Sequence, residues 1–397
     1  MNITAVRNAL WFAALTFPIA VIRLSPDGKN FFFRWKNAII IAIAVFIISL
    51  IAQRTNQKST AIKKNVGKNF LNNKAMLPAA VCGALFFLLY PFFAPMYHTN
   101  IMINALIYIM LALGLNIVTG LGGLLNLGYA GFYAIGAYTY ALCHTYLGIN
   151  FWAAIPIAAV FSAFAGWLLA LPVLRLRGDY LAIVTLGFGE ILRLFLENQS
   201  GFTGGAAGIG NIPKPVLPGK VLTLHGSIIF LYFLVIVLVV IVIIAVWRLE
   251  HSRLGRSWLA LREDELASRS VGINTSRVKI SAFSFGAAIA GIAGVIFAAK
   301  TTFISPVCFT FWESVIILCM VVLGGMGSIP GIIIASLVMS LTPEYLRVFS
   351  QYRMLVFGGV MVLMMLFKPS GIIPVIRRHA FFKDGTVTEK TEETAGQ

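Results

Sequence analysis

The chain has 397 residues, of which 59% are apolar and 11% charged, with a net charge of +17. A soluble domain carries about half apolar and a quarter charged residues, and the mean hydropathy of +0.88 excludes both a soluble protein and a disordered chain. Cys82, Cys143, Cys308 and Cys319 are scattered singly through apolar stretches, which excludes a disulfide scaffold.

A bilayer core needs roughly twenty consecutive apolar residues per helix. Taken in chain order, the first two hydrophobic stretches run from Ala9 to Leu24 and from Ala38 to Ala52, the second short enough to tilt or to lie partly in the interface. The first lacks an Ala-x-Ala site before Arg23 and reads as retained. Ten more segments are expected near 77–95, 101–119, 125–147, 151–173, 181–198, 228–247, 280–299, 311–328, 331–346 and 354–367. The expected fold class is all-α: a polytopic membrane helical bundle with a ten-helix core plus two N-terminal hydrophobic segments. The expected organisation is hydrophobic segments and a basic linker over 1–76, the bundle over 77–376, and a polar tail over 377–397, whose composition suggests disorder after Lys383.

Orientation follows from Lys and Arg, because basic loops stay cytoplasmic. The linker holding Arg54, Lys58, Lys63, Lys64, Lys68 and Lys74 has no acidic residue and is expected inside. Alternating crossings then put twenty basic residues on that side and five on the other. The loop with Arg23, Lys29, Arg34 and Lys36 disagrees if the two N-terminal stretches form a full hairpin. Membrane orientation accounts for the positive balance, so no nucleic-acid partner is expected.

Reactive constellations are sparse. The histidines are far apart, and no His-x-x-x-His or Cys-x-x-Cys pair offers metal-ligand spacing. No Gly-x-Ser-x-Gly elbow occurs. A phosphate loop needs Gly-Lys followed by Ser or Thr, but Lys29, Lys68 and Lys220 are followed by Asn30, Asn69 and Val221. Energy for active transport must then come from another subunit or from an ion gradient. The glycine runs Gly120–Gly128, Gly204–Gly210 and Gly324–Gly331 lack a preceding strand, and in membrane helices they serve close packing or a helix break whose unwound backbone can line a cavity.

Charges inside hydrocarbon cost about 2.5–3.5 kcal/mol each and need a partner or a wet cavity. Glu190, Arg193 and Glu197 share one helix face, so that face cannot meet lipid; local pairing and a role in gating or lining a path are both open. Glu313 opens a segment and fits either a path or the interface. The loop from Arg248 to Lys279 holds good helix formers from Ser257 to Val271, then Gly272 as a stop and Asn274, Thr275 or Ser276 as the next cap. A short cytoplasmic helix over 257–272 is expected. Trp258, Leu259, Leu261, Leu266 and Val271 supply apolar contacts, and Arg262, Glu263, Asp264 and Glu265 supply charge. It suits either a soluble partner or lipid headgroups, with the acidic triplet favouring protein.

Several stretches together resemble the LivM-type permease of branched-chain amino acid ABC importers: LPVLRLRGDYLAIVTLGFGEILR from Leu171, TGGAAGI from Thr203, LREDELASRSVGIN from Leu261 and VVLGGMGSIPG from Val321. NLGYAGFYAIGAYTYAL, from Asn126, agrees, as does the N-terminal extension. The resemblance covers about residues 77 to 376. It implies a bacterial inner-membrane transport subunit, not an enzyme, that pairs with a LivH-type permease, two ATP-binding subunits and a periplasmic amino-acid-binding protein. It implies no cofactor on this chain, with ATP and Mg²⁺ held by the partner subunits. The 257–272 helix becomes the coupling helix, with Arg262, Glu263, Asp264, Glu265, Ala267 and Gly272 facing the ATPase, although Leu266 stands where other ABC permeases have Ala and Gly272 falls one residue late. Glu190, Arg193, Glu313 and Asn126 are the candidates for path or gating. Related permeases import urea, short amides or other amino acids. An ion-driven secondary transporter would need matched broken helices in two halves, which the glycine runs do not provide. A membrane-bound enzyme would need clustered polar residues on one side, which only the loop 199–227 is long enough to hold.

Overall fold

The structure is a computed structural model that describes residues 22–24, 31–33, 90–91, 95–174, 176, 178–215, 224–345, 358–359, 371–373, 379–383 and 386–390. Most of the segments expected at 77–95 and 354–367, the basic linker and most of the two N-terminal stretches lie outside them.

The chain folds as helices. They are α1 (Met96–Leu115), which runs into a π-helical turn (Asn116–Leu121), α2 (Tyr129–Leu147), α3 (Phe151–Val173), α4 (Asp179–Asn198), α5 (Leu224–Glu250), α6 (Arg253–Glu263), α7 (Glu265–Ser270), α8 (Thr275–Thr301), α9 (Phe311–Gly324) and α10 (Ile329–Tyr345). Every segment expected between 101 and 346 falls on one of these helices. Five described stretches are long and apolar enough to cross a bilayer: Met96–Leu121, Phe151–Val173, Gly226–Glu250, Thr275–Thr301 and Pro306–Gly324; Ile329–Glu344 is apolar but shorter. Hydrocarbon leaves backbone N–H and C=O groups no partner but one another, so such runs must be helical.

The described residues fall into two units, the helical body being the one that contains Met96–Leu341. Inside it, α8 packs against α3, α2 and α1. A helix apolar on every side belongs either in a core or across a membrane, facing lipid. Accordingly 83% of the apolar window of α1 is buried, against 33% for α3 and 39% for α5. Small residues permit this density. A Cβ at Gly136 of α2 would overlap the backbone of Gly291 on α8, so these two helices touch backbone to backbone.

Two expectations change. The 125–147 segment begins its helix only at Tyr129, because Gly123 adopts a φ of +67° and the chain to Gly128 stays unwound. Two short antiparallel strand pairs accompany the helices, β1 (Ile22–Leu24) with β2 (Phe31–Phe33) and β3 (His379–Lys383) with β4 (Thr386–Lys390). Thr386–Lys390 lies in the tail whose polarity suggests disorder, yet its β-branched Thr386, Val387 and Thr388 favour an extended backbone.

Candidate functional site

Two helix breaks meet. The first follows α1, where the π turn and the unwound residues to Gly128 interrupt the path into α2. The second separates α9 from α10, with Gly325 at φ +100° and Gly327 at φ +93°, conformations only glycine adopts without strain. The Asn116 side-chain oxygen accepts the Gly327 amide at 2.8 Å and so ties the two breaks together. Asn116 is fully buried, and its Nδ2 has no hydrogen-bond partner among the described residues. Neither Asn116 nor this pairing is legible in the sequence beyond one polar residue in an apolar run.

Asn126, expected near a path, lies in the first break and is wholly buried in this conformation. Its Oδ1 accepts the Gly128 amide at 3.0 Å, ahead of α2, and its Nδ2 is without a partner among the described residues. Thr185 of α4 takes the Leu127 amide at 3.1 Å. A Cβ at Gly189 would stand 3.0 Å from the Gly128 Cα, so α4 presses directly on the unwound backbone.

The expected single helix over 257–272 is two helices. Its first part starts earlier, at Arg253, where Ser252 caps by accepting the Gly255 amide. The break falls at Asp264, whose extended backbone ends α6 and whose Oδ1 accepts the amides of Leu266 at 2.7 Å and Ala267 at 3.1 Å. An aspartate does better capping a helix than inside one. Gly272 at φ +85° ends the projection, and Asn274 caps α8 by accepting the Arg277 amide, both as the sequence predicts.

α6 is seated by Trp258, fully buried, whose indole N–H donates to the Val278 carbonyl at 3.1 Å and the Ser281 hydroxyl at 3.0 Å. Leu261 is buried beside it, whereas Leu266 and Val271 are exposed by 60% and 76%. Among the six coupling candidates, Glu263, Asp264, Ala267 and Gly272 are exposed. Arg262 and Glu265 turn inward. Arg262 donates from Nη1 to the carbonyl of Gly120 and lies over Gly123, so α6 holds the first helix break directly. Glu265 pairs with Arg269 at 2.8 Å and with buried Lys279 of α8 at 3.0 Å. Sequence reasoning missed Lys279; a cation flanked by Val278 and Ile280 early in an apolar helix was the available signal.

Arg193 bridges both glutamates of α4, Nε to Glu190 at 2.9 Å and Nη1 to Glu197 at 2.7 Å. Local pairing therefore holds, and the three side chains keep 22–37% exposure. Glu313 is not interfacially free: Tyr108 of α1 donates its hydroxyl to Oε2 at 2.9 Å. The next residue, Ser314, accepts the Ala130 amide in the first turn of α2.

Apolar helices long enough to cross a bilayer, two helix breaks joined through a buried amide, and a short amphipathic projection bonded to one of the breaks define a multi-pass membrane protein. Residues 97–365 match the family described as the permease component of the branched-chain amino acid transport system, and the chain belongs to that family. It is 43% identical to the high-affinity branched-chain amino acid transport permease LivM of Salmonella typhimurium, over 95% of this chain and 96% of that protein. The LivM of Escherichia coli is 42% identical over 96% of each chain. The LivH permease of Salmonella typhimurium is 28% identical over 67% of this chain and 91% of its own length. No solved structure is a significant match.

Proposed function

We propose that the chain is the LivM-type permease subunit of an ATP-driven importer for leucine, isoleucine and valine in a bacterial inner membrane. The observation that carries this reading is the near end-to-end likeness to LivM proteins at 43% identity. Its partners in this reading are a LivH-type permease, two ATP-binding subunits that hold ATP and Mg²⁺, and a soluble amino-acid-binding protein. The chain itself binds no cofactor.

The geometry suggests how force enters. An ATPase docks on the exposed Glu263, Asp264, Leu266, Ala267, Val271 and Gly272. Motion of α6 then reaches the Gly120 carbonyl through Arg262, and the Asn116–Gly327 hydrogen bond carries it to the second break. Each nucleotide state of the partner favours one arrangement of the breaks by binding it more tightly. Glu190, Arg193, Glu313 and Asn126 act along the path or its gate.

The test is isolation of the complex from its native membrane, identification of the co-purifying subunits, and measurement of ATPase activity with the soluble receptor present. ATP hydrolysis stimulated by leucine and receptor is expected. A lone, stable chain that moves leucine without ATP would overturn the reading in favour of an ion-driven transporter.

A further inference from the structure

The surface-facing helices differ in chemistry. α3 exposes Val160, Phe161, Phe164, Trp167 and Leu168, and α5 exposes Val237, Val240, Ile241 and Ile244, as hydrocarbon requires. α4 departs from this. It packs through Leu181, Ala182, Thr185 and Leu196 and turns Ile183, Ile191 and Leu194 outward. A side chain built at Gly187 would meet open space. At about 100° per residue, Ile183, Glu190, Leu194 and Glu197 fall within roughly 60° of one another, with Arg193 flanking them. Apolar and ionic groups therefore run side by side along one open face.

Local pairing cancels two of the three charges on this face and leaves one, which hydrocarbon would penalise by about 2.5–3.5 kcal/mol, so a watery surrounding fits it better than lipid. The three charges sum to −1 and alternate in sign. Arg193 uses Nε and Nη1 on the glutamates, and its Nη2 makes no hydrogen bond among the described residues.

Resting on the permease reading above, we infer that this face of α4 is a transit site for a zwitterionic α-amino acid with an aliphatic side chain. The carboxylate is received by Arg193 Nη2, the ammonium by Glu190 or Glu197, and the side chain lies on Ile183 and Leu194. The internal ion pairs keep the site satisfied when empty, so a passing amino acid exchanges one set of charge contacts for another. Such an exchange gives weak binding, which suits passage.

The test uses the full complex in lipid nanodiscs, from a chain in which Cys82, Cys143, Cys308 and Cys319 are replaced by alanine. Leu194→Cys, Ile183→Cys and, as a lipid-facing control, Phe161→Cys are exposed to a charged, membrane-impermeant thiol reagent. Both α4 variants are expected to react and Phe161→Cys to stay inert. Leucine delivered with the receptor, at about four times its apparent dissociation constant, is expected to slow the α4 reactions about fivefold, as occupancy of a single site requires. Two inert α4 variants would overturn the site, because lipid or a neighbouring subunit then covers the face. Reaction at equal rates with and without leucine would overturn it as well, leaving a wet wall that cargo does not touch. Leucine uptake by the cysteine-free chain scores the permease reading separately, since labelling of α4 does not require transport.

Discussion

Asn116 accepts the amide hydrogen of Gly327 across 211 residues of chain, through a 2.8 Å bond between two buried residues. Asn116→Leu leaves that amide without a partner, a loss of about 1–3 kcal/mol. A lower thermal midpoint for the purified protein is expected, and an unchanged one would show that the bond does not join the breaks. Gly120→Ala should act alike, because its Cβ would press on the Asn116 oxygen and stand 2.7 Å from the Gly327 nitrogen.

Arg262 and Trp258 divide two duties on α6. Trp258→Phe removes both indole hydrogen bonds, each worth about 1 kcal/mol, and should loosen the projection without altering its surface. Arg262→Ala leaves Trp258 seated and cuts the contact to Gly120. Transport per ATP hydrolysed should fall at least about tenfold, a change of about 1.4 kcal/mol in coupling. Preserved stoichiometry in a reconstituted complex would remove Arg262 from the relay.

The Glu265–Lys279 pair separates folding from docking. Lys279 is 3% exposed, and Lys279→Met leaves the Glu265 carboxylate with Arg269 alone, at a cost of about 1.5–3 kcal/mol. Glu265→Leu combined with Lys279→Met should restore most of the loss, measurable as a double-mutant cycle on unfolding midpoints. Leu266→Asp and Val271→Asp, on exposed positions, should change stability by no more than about 0.5 kcal/mol. Their effect is expected in capture of the ATP-binding subunits; full capture by both would deny the docking surface.

Tyr108→Phe deletes the hydroxyl that satisfies Glu313, at a cost of about 1.5–3 kcal/mol for a bond to a charged group. Glu313→Gln keeps an acceptor for the same hydroxyl and should be milder. A thermal midpoint for Tyr108→Phe equal to that of the parent protein would show that the Tyr108–Glu313 contact adds nothing.

Helix content was legible because it is a local matter. Long apolar runs must satisfy their own backbone in hydrocarbon, and that requirement needs no knowledge of neighbours. The α4 ion pairs were legible for the same reason, since residues three and four apart face each other on any helix. So were the Gly272 stop and the Asn274 cap. The break at Asp264 was half legible: its carboxylate suits a cap, but the good helix formers around it favour an unbroken run.

What the sequence determined alone is therefore a greasy helical chain with its charges spaced for local pairing and its glycines placed where helices break or touch. The tertiary structure decided which breaks meet, through Asn116 and Gly327; that Arg262 turns inward, onto Gly120; and which buried cation Glu265 holds, through Lys279. Those pairings join residues brought together only by helix packing, and spacing along a chain carries no record of an approach made in three dimensions.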